Sequence, residues 1–318
     1  MNAVAAQITP LTAAPPASRQ RWIERFAGLG FAAPAFILLV LTNLAPLAAL
    51  AFLSFTNYEL GALDFAFVGL KNFSTALQDP VIRRSVTNTL LYVAIVVPGG
   101  VLISLLVAIL IHQRKRTRSL YEVIYFLPVT STLIAMATMW QFLLHPTLGL
   151  INQTLKGLGF AETAFLSEPR LVIPTLAAIG IWQLVGFNMV LFLAGLSAIP
   201  RDLYEAVDID GASHPIDRFL KVTWPMLGPT TMFVTVTTFI TAFKIFDTVA
   251  VMTRGGPGGA SEVLLYAIYL EGFQYFHMSY AATLTLVFLA FTLVFSVLQT
   301  FVLDRRRRAG DRDRCARQ

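Results

Sequence analysis

Six long apolar runs dominate the chain, at Phe31 to Leu53, Thr87 to Ile111, Leu120 to Leu144, Leu171 to Leu196, Thr230 to Thr253 and Met278 to Leu303. A hydrocarbon core of about 30 Å needs roughly 20 apolar residues per helical crossing, and each run meets that length. The runs are far longer than the short alternating segments of an outer-membrane barrel, and a helix satisfies its own backbone groups inside lipid. Only 13% of the 318 residues are charged, whereas a soluble domain carries about a quarter. The expected fold class is an all-α membrane protein with six transmembrane helices.

Orientation follows from Lys and Arg, because positive residues near helix ends stay in the cytoplasm. Arg19, Arg21 and Arg25 precede the first run; Arg114, Lys115, Arg116 and Arg118 crowd the short loop after the second; Arg305 to Arg308 follow the sixth. Both termini are therefore expected in the cytoplasm. Residues 1–25 read as a disordered tail, 26–303 as the membrane domain and 304–318 as a basic tail. The net charge of +6 expresses this topology and gives no reason to expect nucleic acid as a partner. The single cysteine, Cys315, excludes an intrachain disulfide framework.

The loops after the first and fifth runs face outward on this reading. The first holds Gly69-Leu70-Lys71-Asn72-Phe73, with Asp79-Pro80 reading as a turn or helix start and Asn88-Thr89 at the next helix entrance. A short amphipathic helix is expected on the outer face. The second, Arg254-Gly255-Gly256-Pro257-Gly258-Gly259, has a glycine density that breaks helices, so an irregular re-entrant or capping loop is expected.

The cytoplasmic loop from Leu196 to Pro229 is too long and too apolar for a simple connector. Two short helices are expected. In the first, Leu203, Ala206, Val207 and Ile209 form an apolar stripe among Asp202, Glu205 and Asp208. Gly211 sits where a helix ends with positive φ. The second starts with Ser213 as cap and Pro215 in its first turn, and would bury Ile216, Phe219, Leu220 and Trp224. Such a unit either packs on its own helix ends or docks another protein.

Glu205-Ala206-Val207 followed by Asp208-Ile209-Asp210-Gly211-Ala212-Ser213, with Phe219, Trp224-Pro225 and Pro229 beyond, resembles the EAA motif of binding-protein-dependent ABC transporter permeases. Val207 stands where that motif usually has a third alanine. Gly195-Leu196, Ile199-Pro200 and Leu203-Tyr204 before the motif agree, as do Gly255-Gly256-Pro257 after it. The resemblance covers roughly residues 25 to 303 and points to the carbohydrate-uptake branch. Tyr266, Ile268-Tyr269 and Gly272-Phe273 are most similar to glycerol-3-phosphate permease subunits of that branch. The resemblance implies a type I ABC importer permease fold in the bacterial inner membrane. It also implies a coupling loop at residues 197–229, with Glu205, Ala206, Asp208, Asp210, Gly211 and Ala212 meeting an ATP-binding subunit. The implied partners are an ATPase dimer that holds the ATP, a second homologous permease and an extracytoplasmic solute-binding protein, besides membrane lipids. No cofactor or catalytic residue is implied for this chain.

Ionised groups at bilayer depth mark functional sites by default, since each costs on the order of 3 kcal/mol. Lys244 and Asp247 in the fifth run are three residues apart and would share one helical face. The fourth run offers Trp182, Gln183, Phe187 and Asn188, aromatic faces beside amides, as a hydroxyl-rich ligand needs. These six form the candidate solute pathway. His112, His145, His214 and His277 are scattered and lack metal-ligand spacing. A membrane-embedded enzyme would need a cluster of acids, histidines or a nucleophile, and none stands out. A secondary transporter would need matching broken helices in two halves, and only Pro98-Gly99-Gly100 in the second run suggests an interruption.

Overall fold

In a computed structural model of the chain, the described residues are 30–114, 116–209, 211 and 214–315, with side chains described to residue 298. Helices are the only regular elements among these residues, joined by loops and accompanied by one isolated bridge between Thr56 and Phe67. The chain divides after Phe52 into two units. The first holds most of α1 (Gly30–Ser54), an apolar helix that contains one wide π-type turn at Val40–Leu44.

The second unit contains the remaining helices. Helix α2 (Lys71–Gln78) is the short amphipathic helix expected after the first run. Asp79 then caps α3 (Pro80–His112), its Oδ1 accepting the Val81 amide at 2.8 Å with Pro80 in the first turn. This matches the preference for a carboxylate at the cap and proline just inside it. At 33 residues α3 is about 50 Å long, so it starts well before the apolar stretch and passes uninterrupted through Pro98. The expected interruption at Pro98-Gly99-Gly100 is absent. Neighbouring helices tolerate a proline in a span by re-satisfying the freed backbone.

Four helices are individually long and apolar enough to cross a membrane: α1, α3, α7 (Val172–Ser197) and the 278–298 portion of α13 (Met278–Cys315). Two bent pairs raise the number to six. The third run is α4 (Arg118–Thr130) and α5 (Leu133–Leu143), bent by 98° at Ser131 and Thr132. Neither piece spans about 30 Å alone at 1.5 Å per residue. The other pair is α9 (Pro215–Met226) and α10 (Gly228–Phe243), bent by 66°. Short helices α6 (Leu150–Gly157), α8 (Arg201–Ile209), α11 (Val249–Thr253) and α12 (Leu264–Tyr269) complete the unit.

Helices α3 and α7 share the broadest interface. Val96, Val172, Leu176 and Ala177 are fully buried there, and Gly180 faces the Tyr92 hydroxyl so closely that a Cβ would collide with it. Gly186 lies against the carbonyl of Tyr125 on α4 in the same way. Small residues allow this approach, which dispersion alone must reward because lipid is as apolar as the helix faces. Phe243 of α10 stacks on Phe288 and Phe291 of α13, each with ring centroids 4.9 Å apart.

Candidate functional site

The loop between α7 and α10 folds as two short helices around a left-handed turn. Gly211 has φ +80°, the conformation expected for a glycine closing α8. On the far side His214 caps α9, its Nδ1 3.3 Å from the Ile216 amide, and Pro215 occupies the first turn. The cap is thus the histidine; Ser213 lies outside the described residues, as do Asp210 and Ala212.

Two contacts hold the hairpin closed. Arg218 Nη2 donates to Asp208 Oδ2 at 2.8 Å, with Nε 2.6 Å from Oδ1. The Tyr204 and Thr223 hydroxyls share a hydrogen bond at 3.0 Å. Inside, Tyr204, Val207 and Phe219 pack against Ile199, Val222 and Leu227.

Of the residues expected to be buried in the second helix, Phe219 packs inward while Ile216, Leu220 and Trp224 face outward, as does Ile209 of the first. Ile209 is 87% exposed, Ile216 59%, Leu220 57% and Trp224 45%, while Leu203, Glu205 and Ala206 are exposed beside them. The reason is geometric: Tyr204 and Phe219 already occupy the inward positions, and nine residues of α8 cannot turn two apolar faces into one core.

The six candidate pathway residues do not form one cluster. Trp182 and Phe187 are exposed on α7, and Gln183 is half-buried. Asn188 is only 1% exposed and donates to Thr238 Oγ1 at 2.9 Å, so it ties α7 to α10 inside the bundle and presents no amide to a solute. Trp182 meets Trp140 of α5 edge to face at 5.4 Å. Trp140 escaped the sequence reading because it lies in the run that bends; its buried indole Nε1 has no hydrogen-bond partner among the described residues.

Lys244 and Asp247 do not share a helical face. Helix α10 ends at Phe243, the Lys244 amide reaching Ile240 O at 3.3 Å and the Ile245 amide only Ala242 O at 3.2 Å. Regular bonding resumes with Ala250 to Phe246. Among the described residues no ion pair joins the two charges; Lys244 is exposed and Asp247 half-buried. Non-helical backbone at membrane depth is tolerated only where it is buried in protein or lines a water-filled cavity.

Beyond the break, the glycine-rich loop is irregular as expected, with Arg254, Gly255, Gly258 and Gly259 all at positive φ. Asn88 Nδ2 donates to the carbonyls of Gly259 and Glu262, and Thr89 Oγ1 accepts the Leu264 amide at 2.9 Å. The Asn88-Thr89 pair thus fastens this loop to α3. Glu262 lies 3.9 Å from Arg84 with its side chain 12% exposed. Burial pushes its carboxyl above the usual range, and the Arg84 charge opposes the shift. No group of three or more potential metal-ligating side chains occurs among the described residues.

Known proteins agree with this architecture. A bacterial ABC transporter that imports the acidic polysaccharide alginate superposes with TM-score 0.79 at 22% identity, over 90% of this chain and 98% of that one. The same transporter with its alginate pentasaccharide-bound periplasmic protein gives TM-score 0.80 at 21% identity, over 91% and 97%. A probable ABC transporter permease of Pyrococcus horikoshii is 31% identical over 83% of this chain and 91% of its own length. The sn-glycerol-3-phosphate transport system permease protein UgpA of Pectobacterium atrosepticum is 31% identical over 93% and 99%. The sulfoquinovosyl glycerol transport system permease protein SmoG of Agrobacterium fabrum is 30% identical over 86% and 90%. Residues 100–308 match the binding-protein-dependent transport system inner membrane component family. With that match, and relatives of this identity along most of its length, the chain belongs to the inner membrane components of binding-protein-dependent ABC transport systems, which are permeases and not enzymes.

Proposed function

We propose that this chain is the translocation subunit of an importer for a sugar or glycerol-3-phosphate-type solute, driven through the loop at residues 197–229. The observation that carries the coupling role is the outward apolar surface of the hairpin, above all Ile209 and Ile216. Apolar side chains on a short cytoplasmic hairpin gain stability only against a partner surface. An ATP-binding subunit dimer that holds the nucleotide supplies that surface, with both termini of this chain on the same side of the membrane. Glu205, Ala206 and Gly211 lie on the exposed part of the hairpin, and the proposal extends to Asp210 and Ala212. Asp208 acts by shaping it, through Arg218.

The solute class rests on the relatives named for glycerol-3-phosphate and sulfoquinovosyl glycerol. A second permease of similar fold and a solute-binding protein complete the assembly, the latter supported by the periplasmic protein seated on the alginate transporter. Trp182, Gln183, Phe187, Lys244 and Asp247 border the pathway, with the broken backbone after Phe243 as its polar segment. ATP hydrolysis by the reconstituted complex tests the reading, using binding proteins loaded in turn with sugars and glycerol phosphates. Stimulation by one loaded protein is expected. Hydrolysis insensitive to every loaded protein would overturn the solute class, and Ile209→Arg complexes that assemble and stay fully active would overturn the coupling surface.

A further inference from the structure

A groove of about 430 Å³ opens on the surface between α2, the first turns of α3, α12 and α13. Its walls are apolar: Phe73 and Leu77 from α2, Ile82 and Val86 from α3, Leu284 and Val287 from α13. Leu77, 85% exposed, and Val287, also exposed, continue the apolar lining out to the rim. One cation stands in this lining, Arg83.

Arg83 is exposed and its guanidinium has no hydrogen bond or ion pair among the described residues. The nearby acids are committed elsewhere. Asp79 accepts the Val81 amide with Oδ1 and the Tyr280 hydroxyl with Oδ2, while Glu262 faces Arg84. Arg83 lies in the first turn of α3, ahead of the long apolar run of a helix longer than the hydrocarbon core. Helical side chains lean toward the helix N-terminus, so Arg83 reaches toward the headgroup layer while the apolar walls continue toward the acyl chains.

We propose that this groove is a specific site for an anionic phospholipid, one acyl chain lying along Leu77, Val86 and Val287 and the phosphate resting on Arg83. An arginine fork matches phosphate oxygens in pairs. An ordinary annular lipid needs neither a surface groove of apolar side chains nor an unpaired guanidinium at its mouth. The site is separate from the hairpin at 197–229 and from the Lys244 break, so it holds whatever solute is carried.

The test uses the complete transporter in bilayers of phosphatidylcholine doped with a phosphatidylglycerol that carries a photoreactive acyl chain, followed by peptide mapping. Labelling is expected on the segments containing Leu77 to Val86 and Leu284 to Val287, displaced by unlabelled phosphatidylglycerol but not by free glycerol phosphate. Arg83→Gln should weaken labelling several-fold with phosphatidylglycerol and little with a matched phosphatidylcholine probe. Val287→Trp should abolish it by filling the slot, with hydrolysis by the assembled complex showing that both variants fold. Equal labelling by the two headgroups, or a photocrosslinker at Leu77 that captures the second permease, would overturn the assignment.

Discussion

Asp208 and Arg218 face each other across the turn at Gly211, Nε 2.6 Å from Oδ1 and Nη2 2.8 Å from Oδ2. Paired contacts fix the relative orientation of α8 and α9 as well as their distance. Both side chains are about 40% exposed, so the pair contributes less than about 1 kcal/mol to stability. Its value lies in holding the hairpin as one body. Asp208→Asn is therefore expected to leave expression and assembly intact while lowering solute-stimulated hydrolysis several-fold, and the exchange Asp208→Arg with Arg218→Asp to restore much of it. No recovery in the exchanged pair would show that Asp208 acts directly on the partner.

Gly211, at φ +80°, gives a graded test of the same turn. Alanine in the left-handed region costs about 1–2 kcal/mol, and among the described residues no atom lies within 4 Å of the added Cβ to bring a clash. Proline is locked near φ −65° and cannot adopt the turn at all. Gly211→Ala should reduce uptake partially and Gly211→Pro should abolish it, with membrane insertion unchanged in both. Normal uptake by the proline variant would refute the turn's role.

The hairpin was legible because its signals are local. Pro200 and Pro215 impose a backbone angle whatever surrounds them and Gly211 permits the positive φ that other residues resist, while Asp79-Pro80 marks the start of α3 by its fixed proline. The bend at Ser131 and the helical break after Phe243 were not legible, because an apolar run looks alike whether its helix continues or breaks. Which apolar face points inward was equally hidden. On α8 both Tyr204 and Ile209 belong to plausible stripes, and only the position of Val222 and Leu227 decides between them. The partner of Asn188 was hidden for a related reason: an amide in a span looks the same in sequence whether it meets a solute or Thr238.

That distinction is measurable. Asn188→Ala breaks the hydrogen bond from its amide to Thr238 of α10 and should lower stability by about 0.6–1.7 kcal/mol, as interhelical hydrogen bonds in membranes do. Apparent solute affinity should stay unchanged, whereas Trp182→Ala, on the exposed side of α7, should weaken it. Weakened affinity in Asn188→Ala at unchanged thermal stability would return Asn188 to the pathway.

Gly186 allows α7 to approach the backbone of α4, and a Cβ there would meet the Tyr125 carbonyl and the Cα of Phe126. Backbone cannot swing away as a side chain does. Gly186→Ala should therefore cost about 1–3 kcal/mol, read as a lower melting temperature of the solubilised complex. Gly157→Ala, with nothing within 4 Å of its Cβ, should melt like the parent. Identical melting of both variants would remove the close approach as a constraint.

Glu262 provides a pH test outside the spans. Its folded carboxyl titrates above the ordinary glutamate value because burial disfavours the anion, an effect that exceeds the pull of Arg84. Between the unfolded and folded values the native chain holds the proton more tightly. Its contribution is thus fully present below the unfolded value and is lost as pH rises through the folded one. Unfolding of the parent should show stability declining with pH across that window, and Glu262→Gln should remove that share of the decline. The Asn88 bonds to the Gly259 and Glu262 carbonyls are backbone contacts that the substitution leaves in place. A loss of stability in the variant that grows as pH rises would show that the Arg84 contact outweighs burial.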